Sequence, residues 1–483
     1  MKKVISLILA LTLIFAVSVP AFATEAENEN NYDGYPVIIV RGIDFAGLTY
    51  PDGTKAINID ASKIFSLLMN PFLARVHMLD ENTLVECLFE AADGILSPIA
   101  CDKNGNSVED VSMVQYHGSM ANHPEFTSRL INNGEEGIVK TAIEKYGAEN
   151  TYYFTYDWRK QPSVLANELL SYVEDAKATS GKDKVNIICA SMGGMVTTAF
   201  MYYHGTESIN SAVYLSGAQN GTYVCGDALN GRIVFEKENL LGFVNEAVDG
   251  NFFVKLLIKV FDILGSFDYI TAMTNDIVAN SFTKANDMVL RDCFGTLCGF
   301  WALCPDEDFE SGVNTIFAGH EEEYDVLLGK IEETKQFVFS TEETLKKARA
   351  DGVKISFVSN YNAGLAPVYE RANLNGDGVL ETELTSNFAT VAPLRKVLTE
   401  EQLQSGDSKY ISPDKVINAS TALFPENTWF VKNAPHVAAD YGTEFSDFTF
   451  TLLESETQPF INTFSEYPQF MTADDSLDLK AQR

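Results

Sequence analysis

Residues 184–200 read KVNIICASMGGMVTTAF. The run Val185 to Ile188 is apolar and β-prone, which predicts a buried strand. Cys189-Ala190-Ser191-Met192-Gly193-Gly194 follows, and after it small and apolar residues recur at helical spacing. Strand, tight turn, serine, two glycines and helix is the layout that exposes a serine hydroxyl on a sharp turn. A serine that attacks a carbonyl needs that turn, with the next amide aimed at the developing oxyanion. The usual pattern is G-x-S-x-G, and Cys189 stands where its first glycine would be. The competing reading is a strand running into a Gly-rich helix start that only packs or binds phosphate.

Working outward, strand and helix signals alternate on both sides of this stretch. Residues 36–40 (PVIIV) predict a strand ending in Arg41-Gly42-Ile43-Asp44. A helix over 137–146 leads to a strand over 151–155, then Tyr156-Asp157-Trp158-Arg159, then an amphipathic helix over about 163–178 that returns to Val185. Strand–helix–strand units of this kind imply parallel pairing with right-handed crossovers. Further strands are expected at 211–215, 353–359 and 428–432, with a helix at 342–350. Residues 70–116 alternate apolar patches with polar turns and read as an insertion. From 223 to 339 long apolar stretches lack the strand–helix rhythm, which suggests a helical cap; an independent helical domain is the alternative.

The N-terminus has a basic start, Lys2-Lys3, an apolar run over 4–20 and Ala21-Phe22-Ala23. That is the pattern of a cleaved secretory leader over 1–23, so export is expected. The expected divisions are a first core part over 24–222, the cap over 223–339, a second core part over 340–460 and a tail over 461–483. The formal net charge is −32, which excludes nucleic acid as a partner and disfavours unaided docking to anionic membrane. Of the seven cysteines, Cys189 is expected inside the sheet, leaving at most three bridges in an exported chain. Their spacing forms no C-x-x-C zinc site, so no metal is expected.

A serine nucleophile requires a base, and the base an acid that fixes its tautomer. In α/β hydrolases these come in the order Ser, acid, His, each on a loop after a strand. Of His77, His117, His123, His204, His320 and His436, only His436 follows the late strands. Asp377, on a turn after the 353–359 strand, is the best-placed acid, ahead of Asp351, Asp407 and Asp414. Its turn also has an EF-hand-like spacing of oxygen residues, Asn373, Asn375, Asp377 and Glu381, with Gly378 at the sixth position. Leu384 occupies the twelfth position, where a bidentate carboxylate belongs, so tight calcium binding is not expected.

These residues together resemble the lecithin:cholesterol acyltransferase family of α/β hydrolases, which includes lysosomal phospholipase A2 and bacterial lipases. Tyr156-Asp157-Trp158-Arg159 matches that family's YDWR segment. Ala190-Ser191-Met192-Gly193 is similar to its H-S-M-G, and Gly376-Asp377 to its G-D. Residues 215–222 resemble its L-G-T-P-x-x-G-S, and residues 299–305 its Trp-x-x-x-Pro cap segment. The likeness spans about residues 35–450 in islands. Two positions depart from it: Arg41 replaces a proline and Cys189 a glycine.

The resemblance implies an α/β-hydrolase fold with a mostly parallel sheet, a helical cap and a smaller loop insertion. It implies a secreted serine esterase acting on lipid or other acyl esters, of lipase or phospholipase A type, needing no cofactor. Ser191, Asp377 and His436 would form the triad, and the amides of Met192 and Ile43 the oxyanion hole. Trp158 and Phe45 would line the substrate, while Tyr156, Asp157 and Arg159 would brace the site, the last two as a buried ion pair. It also implies a Cys87–Cys101 loop with transient contact to a membrane or micelle. The apolar excess of residues 223–339 suggests an acyl groove beneath the cap, and so medium or long acyl chains. A lipid O-acyltransferase using the same triad, or an inactive binding protein on the same scaffold, are the other readings.

Overall fold

The computed structural model describes residues 32–57, 97–133, 137–234, 290–365 and 369–482, with 236, 237, 268, 271, 272 and 275 as isolated positions. The leader over 1–23, Cys87 with most of the 70–116 insertion, and the middle of the 223–339 cap lie outside the described residues.

An eight-stranded sheet dominates the described residues. Its strands are β1 (Val37–Val40), β2 (Thr151–Phe154), β3 (Val185–Ala190), β4 (Ile209–Leu215), β5 (Lys354–Tyr361), β6 (Thr428–Lys432), β7 (Phe470–Ala473) and β8 (Leu479–Ala481). Their spatial order is β8-β7-β6-β5-β4-β3-β1-β2. All neighbours pair in parallel except β7 with β8. β1 to β6 are buried on both faces, as continuous runs such as VIIV and TYYF require of strands covered by helices on either side.

Helices supply both covers. On one face α1 (Gly137–Tyr146) packs Ile138, Val139 and Ala142 toward Ile39, Ile188 and Val213. On the other, α2 (Pro162–Ser180) and α3 (Met192–His204) face Ile187 and Tyr214 with Leu165, Leu169, Met195 and Val196. Burying Leu165 and Leu169 completely stabilises the fold by about 1.5–3 kcal/mol each. α2 opens with Pro162 in its first turn, where the missing N–H costs nothing, and closes on Gly181 at φ 69°.

α4 (Tyr223–Leu229), α5 (Asp306–Phe317), α6 (Asp325–Val338) and α7 (Thr341–Ala350) follow β4 and continue the α2/α3 side. Residues of the expected cap, Trp301, Phe309, Phe317 and Leu327, are buried in the same cluster as the sheet residue Ile187. Two last helices, α8 (Ala438–Tyr441) and α9 (Thr443–Glu454), follow β6 on the α1 side. Three layers, helices–sheet–helices, leave the carboxyl ends of β1, β3, β5 and β6 open at one rim. Every candidate catalytic side chain sits in a loop leaving that rim.

Candidate active site

Ser191 joins β3 directly to α3 with backbone angles φ 55° and ψ −131°. That region of the map is costly for a residue with a Cβ, by about 1–3 kcal/mol. The neighbours enforce it. The Ser191 N–H donates to the Leu215 carbonyl at 3.3 Å, and its own carbonyl accepts from Gly194 N at 2.9 Å and Ala218 N at 2.7 Å. A Cβ at Gly193 would lie 2.2 Å from the Val40 carbonyl oxygen, so helix and strand approach only because that residue is glycine. Cys189 fits the place of the missing glycine as a fully buried strand residue whose thiol donates to the Val213 carbonyl at 3.5 Å. Burial pushes its pKa far up, which keeps it an inert thiol.

Gly42 meets the serine from β1. A Cβ there would stand 2.6 Å from Ser191 Cβ and 3.0 Å from its Oγ. The turn is fixed by the Tyr156 hydroxyl, which donates to the Arg41 carbonyl at 2.7 Å. Burial pushes the Tyr156 hydroxyl's pKa well up, so it acts as a neutral donor. Ile43 lines the cavity beside Ser191. Met192 is the first residue of α3, where helical N–H groups have no partner within the helix.

The acid and base come from the other half of the sheet. Asp377 lies on the turn after β5, 2% exposed. One oxygen accepts from the amides of Val379 at 3.0 Å and Leu380 at 2.8 Å. The other accepts from His436 Nδ1 at 2.7 Å, on the loop after β6. Because a carboxylate only accepts, this contact places the proton on Nδ1 and leaves Nε2 as the base. Burial pushes the Asp377 carboxyl upward, but His436 and the two amides outweigh it and hold it below its ordinary value.

Ser191 and His436 line one cavity of about 110 Å³ with Arg41, Gly42, Ile43 and Asn360. Its remaining wall is mainly apolar, from Ile39, Ile138, Leu215, Val437 and Phe445 among others. Phe45 and Trp158, expected to line the substrate, do not line this cavity. They pack edge to face against each other, 5.1 Å between centroids, and Trp158 is buried in the core. Asp157 and Arg159 form a buried two-pronged ion pair, 2.9 Å and 2.7 Å. Arg159 also donates to the Ile99 and Val111 carbonyls and to Ser107 Oγ, fastening the described part of the insertion to the body.

Glu381 does not turn toward the Asp377 loop as an EF-hand-like spacing would ask. It is fully buried and accepts from Thr222 Oγ1 at 2.9 Å, Tyr223 N at 3.2 Å and the Tyr369 hydroxyl at 2.8 Å. Asn375 instead accepts from Asn362 N at 2.7 Å. Among the described residues no group of acids, histidines and cysteines is arranged to hold a metal. Cys101 is a buried free thiol whose amide bonds Thr296 Oγ1 at 3.2 Å; Cys87 lies outside the described residues. Asn360 is a polar residue of the site that the sequence did not single out. Its only signal there was an asparagine pair, Asn360 and Asn362, at a strand's carboxyl end.

No protein-family model matches the chain, and no curated protein matches it. Among solved structures it is similar to the Tle4–Tli4 complex at 13% identity, covering 68% of this chain and 74% of that chain with a TM-score of 0.27. At that level of likeness nothing about this chain follows from it.

Proposed function

We propose that this protein is a serine-type carboxylic ester hydrolase working through an acyl-enzyme on Ser191. The observation that carries the reading is a strained serine and a carboxylate-held histidine lining the same largely apolar cavity. Ser191 Oγ attacks the ester carbonyl while His436 Nε2 takes its proton. Asp377 holds the imidazole and steadies its charge. The amides of Met192 and Ile43 receive the oxyanion as the carbonyl becomes tetrahedral. Collapse expels the alcohol, which takes the proton from His436, and leaves the acyl group on Ser191. Water, deprotonated by the same imidazole, then releases the acid and restores the serine. No step asks for a group the chain does not supply.

The apolar walls favour an acyl group over a charged or sugar-like one, which fits acyl-lipid esters of the lipase or phospholipase A type. The leader pattern over 1–23 supports export of the protein. Labelling by a fluorophosphonate probe and hydrolysis of p-nitrophenyl acyl esters test the chemistry. Wild type should react with both. Ser191→Ala and His436→Ala should each lose hydrolysis by at least about 10³-fold, and the double variant should be hardly worse. Probe labelling that survives Ser191→Ala would sink the assignment.

A further inference from the structure

β5 ends in Ser359-Asn360-Tyr361 and runs into Asn362, and both loops that bring Asp377 and His436 are tied to this one strand end. The Asp377 loop is held by Asn362 N to Asn375 Oδ1 at 2.7 Å, Ala363 N to the Gly376 carbonyl at 2.9 Å, and Thr382 Oγ1 to the Asn360 carbonyl at 2.9 Å. The His436 loop is held by Asn433 N to the Tyr361 carbonyl at 2.9 Å and by Asn362 Nδ2 to Asn433 Oδ1 at 2.7 Å. Nearest His436 along the chain, Asn360 Nδ2 donates to the carbonyl of Pro435, the residue before it, at 2.8 Å. Ala438 N donates to that same carbonyl at 3.1 Å.

Two features of Asn360 bear on its role. It is 3% exposed and lines the cavity with Ser191 and His436. Its amide orientation is fixed, because the reverse would set oxygen against the Pro435 oxygen. That leaves Asn360 Oδ1 buried with no hydrogen-bond partner among the described residues. A position kept for stability alone would be better filled by an apolar side chain of the same shape, since Pro435 would still keep the Ala438 amide.

We propose that Asn360 is a positioning residue for His436, locking the Pro435 carbonyl so that the imidazole keeps its bond to Asp377 and its aim at Ser191. The proposal rests on the ester-hydrolase reading of the same site. Three variants of the full chain test it: Asn360→Leu, the isosteric Asn360→Asp, and Ser359→Ala as a control that removes a neighbouring buried hydroxyl. kcat and KM on a p-nitrophenyl ester, the thermal midpoint, and the downfield proton NMR signal of the His436 Nδ1–H are measured. That signal is identified by its loss in Asp377→Asn.

Asn360→Leu should melt at or above wild type, lose about 10- to 100-fold in kcat with KM within about twofold, and shift the downfield proton. Asn360→Asp, which sets a carboxylate in the cavity that His436 also lines, should lose rate and move the acid limb of kcat/KM to higher pH. The other charged groups lining the cavity with His436, Arg41 and Asp440, are left in place. Ser359→Ala should match wild type. Wild-type kcat and an unmoved proton in a folded Asn360→Leu protein would overturn the proposal. So would an unmoved acid limb in Asn360→Asp, should the leucine variant not fold. If wild type hydrolyses no ester, the reaction reading fails by itself, and the proton signal still decides the role of Asn360.

Discussion

At the scale of single residues, two buried carboxyls on one turn are tuned in opposite directions. Asp377 is held below its ordinary pKa, so its contribution to stability is present above about pH 3.9 and lost as pH falls through its folded value. Glu381, four residues on, is raised by burial, only partly offset by its three donors. For a raised acid the sign reverses. Its contribution is present below about pH 4.3 and is lost as pH rises through its folded value. Glu381→Gln keeps the shape, leaves one oxygen for Thr222 and Tyr223, and offers its amide to the Tyr369 oxygen. The variant should therefore gain in melting temperature over wild type as pH rises from about 4.5 to 8, because the titration is gone. Parallel melting curves across that range would show that Glu381 is not the titrating group.

At the scale of elements, a buried ionic cluster joins α4 and α5 to the segment before the Asp377 turn. Asp227, with no side-chain exposure, accepts from Arg232 Nε at 2.8 Å and from Arg371 at 2.6 Å and 3.0 Å. Asp308 binds both arginines as well, and Arg371 lies 3.9 Å over the Tyr223 ring. Removing one buried partner strands the others, so Asp227→Ala should cost about 3 kcal/mol in a urea titration, at the low end because both arginines are partly exposed. A loss under about 1 kcal/mol would make the cluster a solvated ornament. None of this clustering was legible in the sequence, because Asp227, Asp308 and Arg371 are brought together only by tertiary packing. The strands and helices were legible, since their apolar spacing is itself what the sheet and its covers bury. Ser191 was legible for the same reason: strand, serine and helix are contiguous. The order of Ser191, Asp377 and His436 along the chain pointed to a meeting place, whereas Asn360 could not be picked out, because its role depends on a carbonyl 75 residues away.

For the whole molecule, the acidic excess is the largest fact that the local geometry does not use. With 67 acidic residues against 35 basic ones, the surface charges repel one another in the compact state. Raising ionic strength from about 0.01 to 0.15 M shortens the screening length from about 30 to 8 Å. The thermal midpoint at pH 7 should rise over that interval. A midpoint that fell would mean that surface ion pairs such as Lys335 with Glu310, rather than net repulsion, set the balance.

The left-handed backbone at Ser191 has a further consequence. Glycine adopts those angles without penalty, while alanine keeps the clash of a Cβ. Of alanine and glycine at position 191, glycine should therefore be the sturdier, and sturdier than the native serine. A library selected for heat resistance alone would drift toward glycine there and breed out the hydroxyl on which the proposed reaction depends.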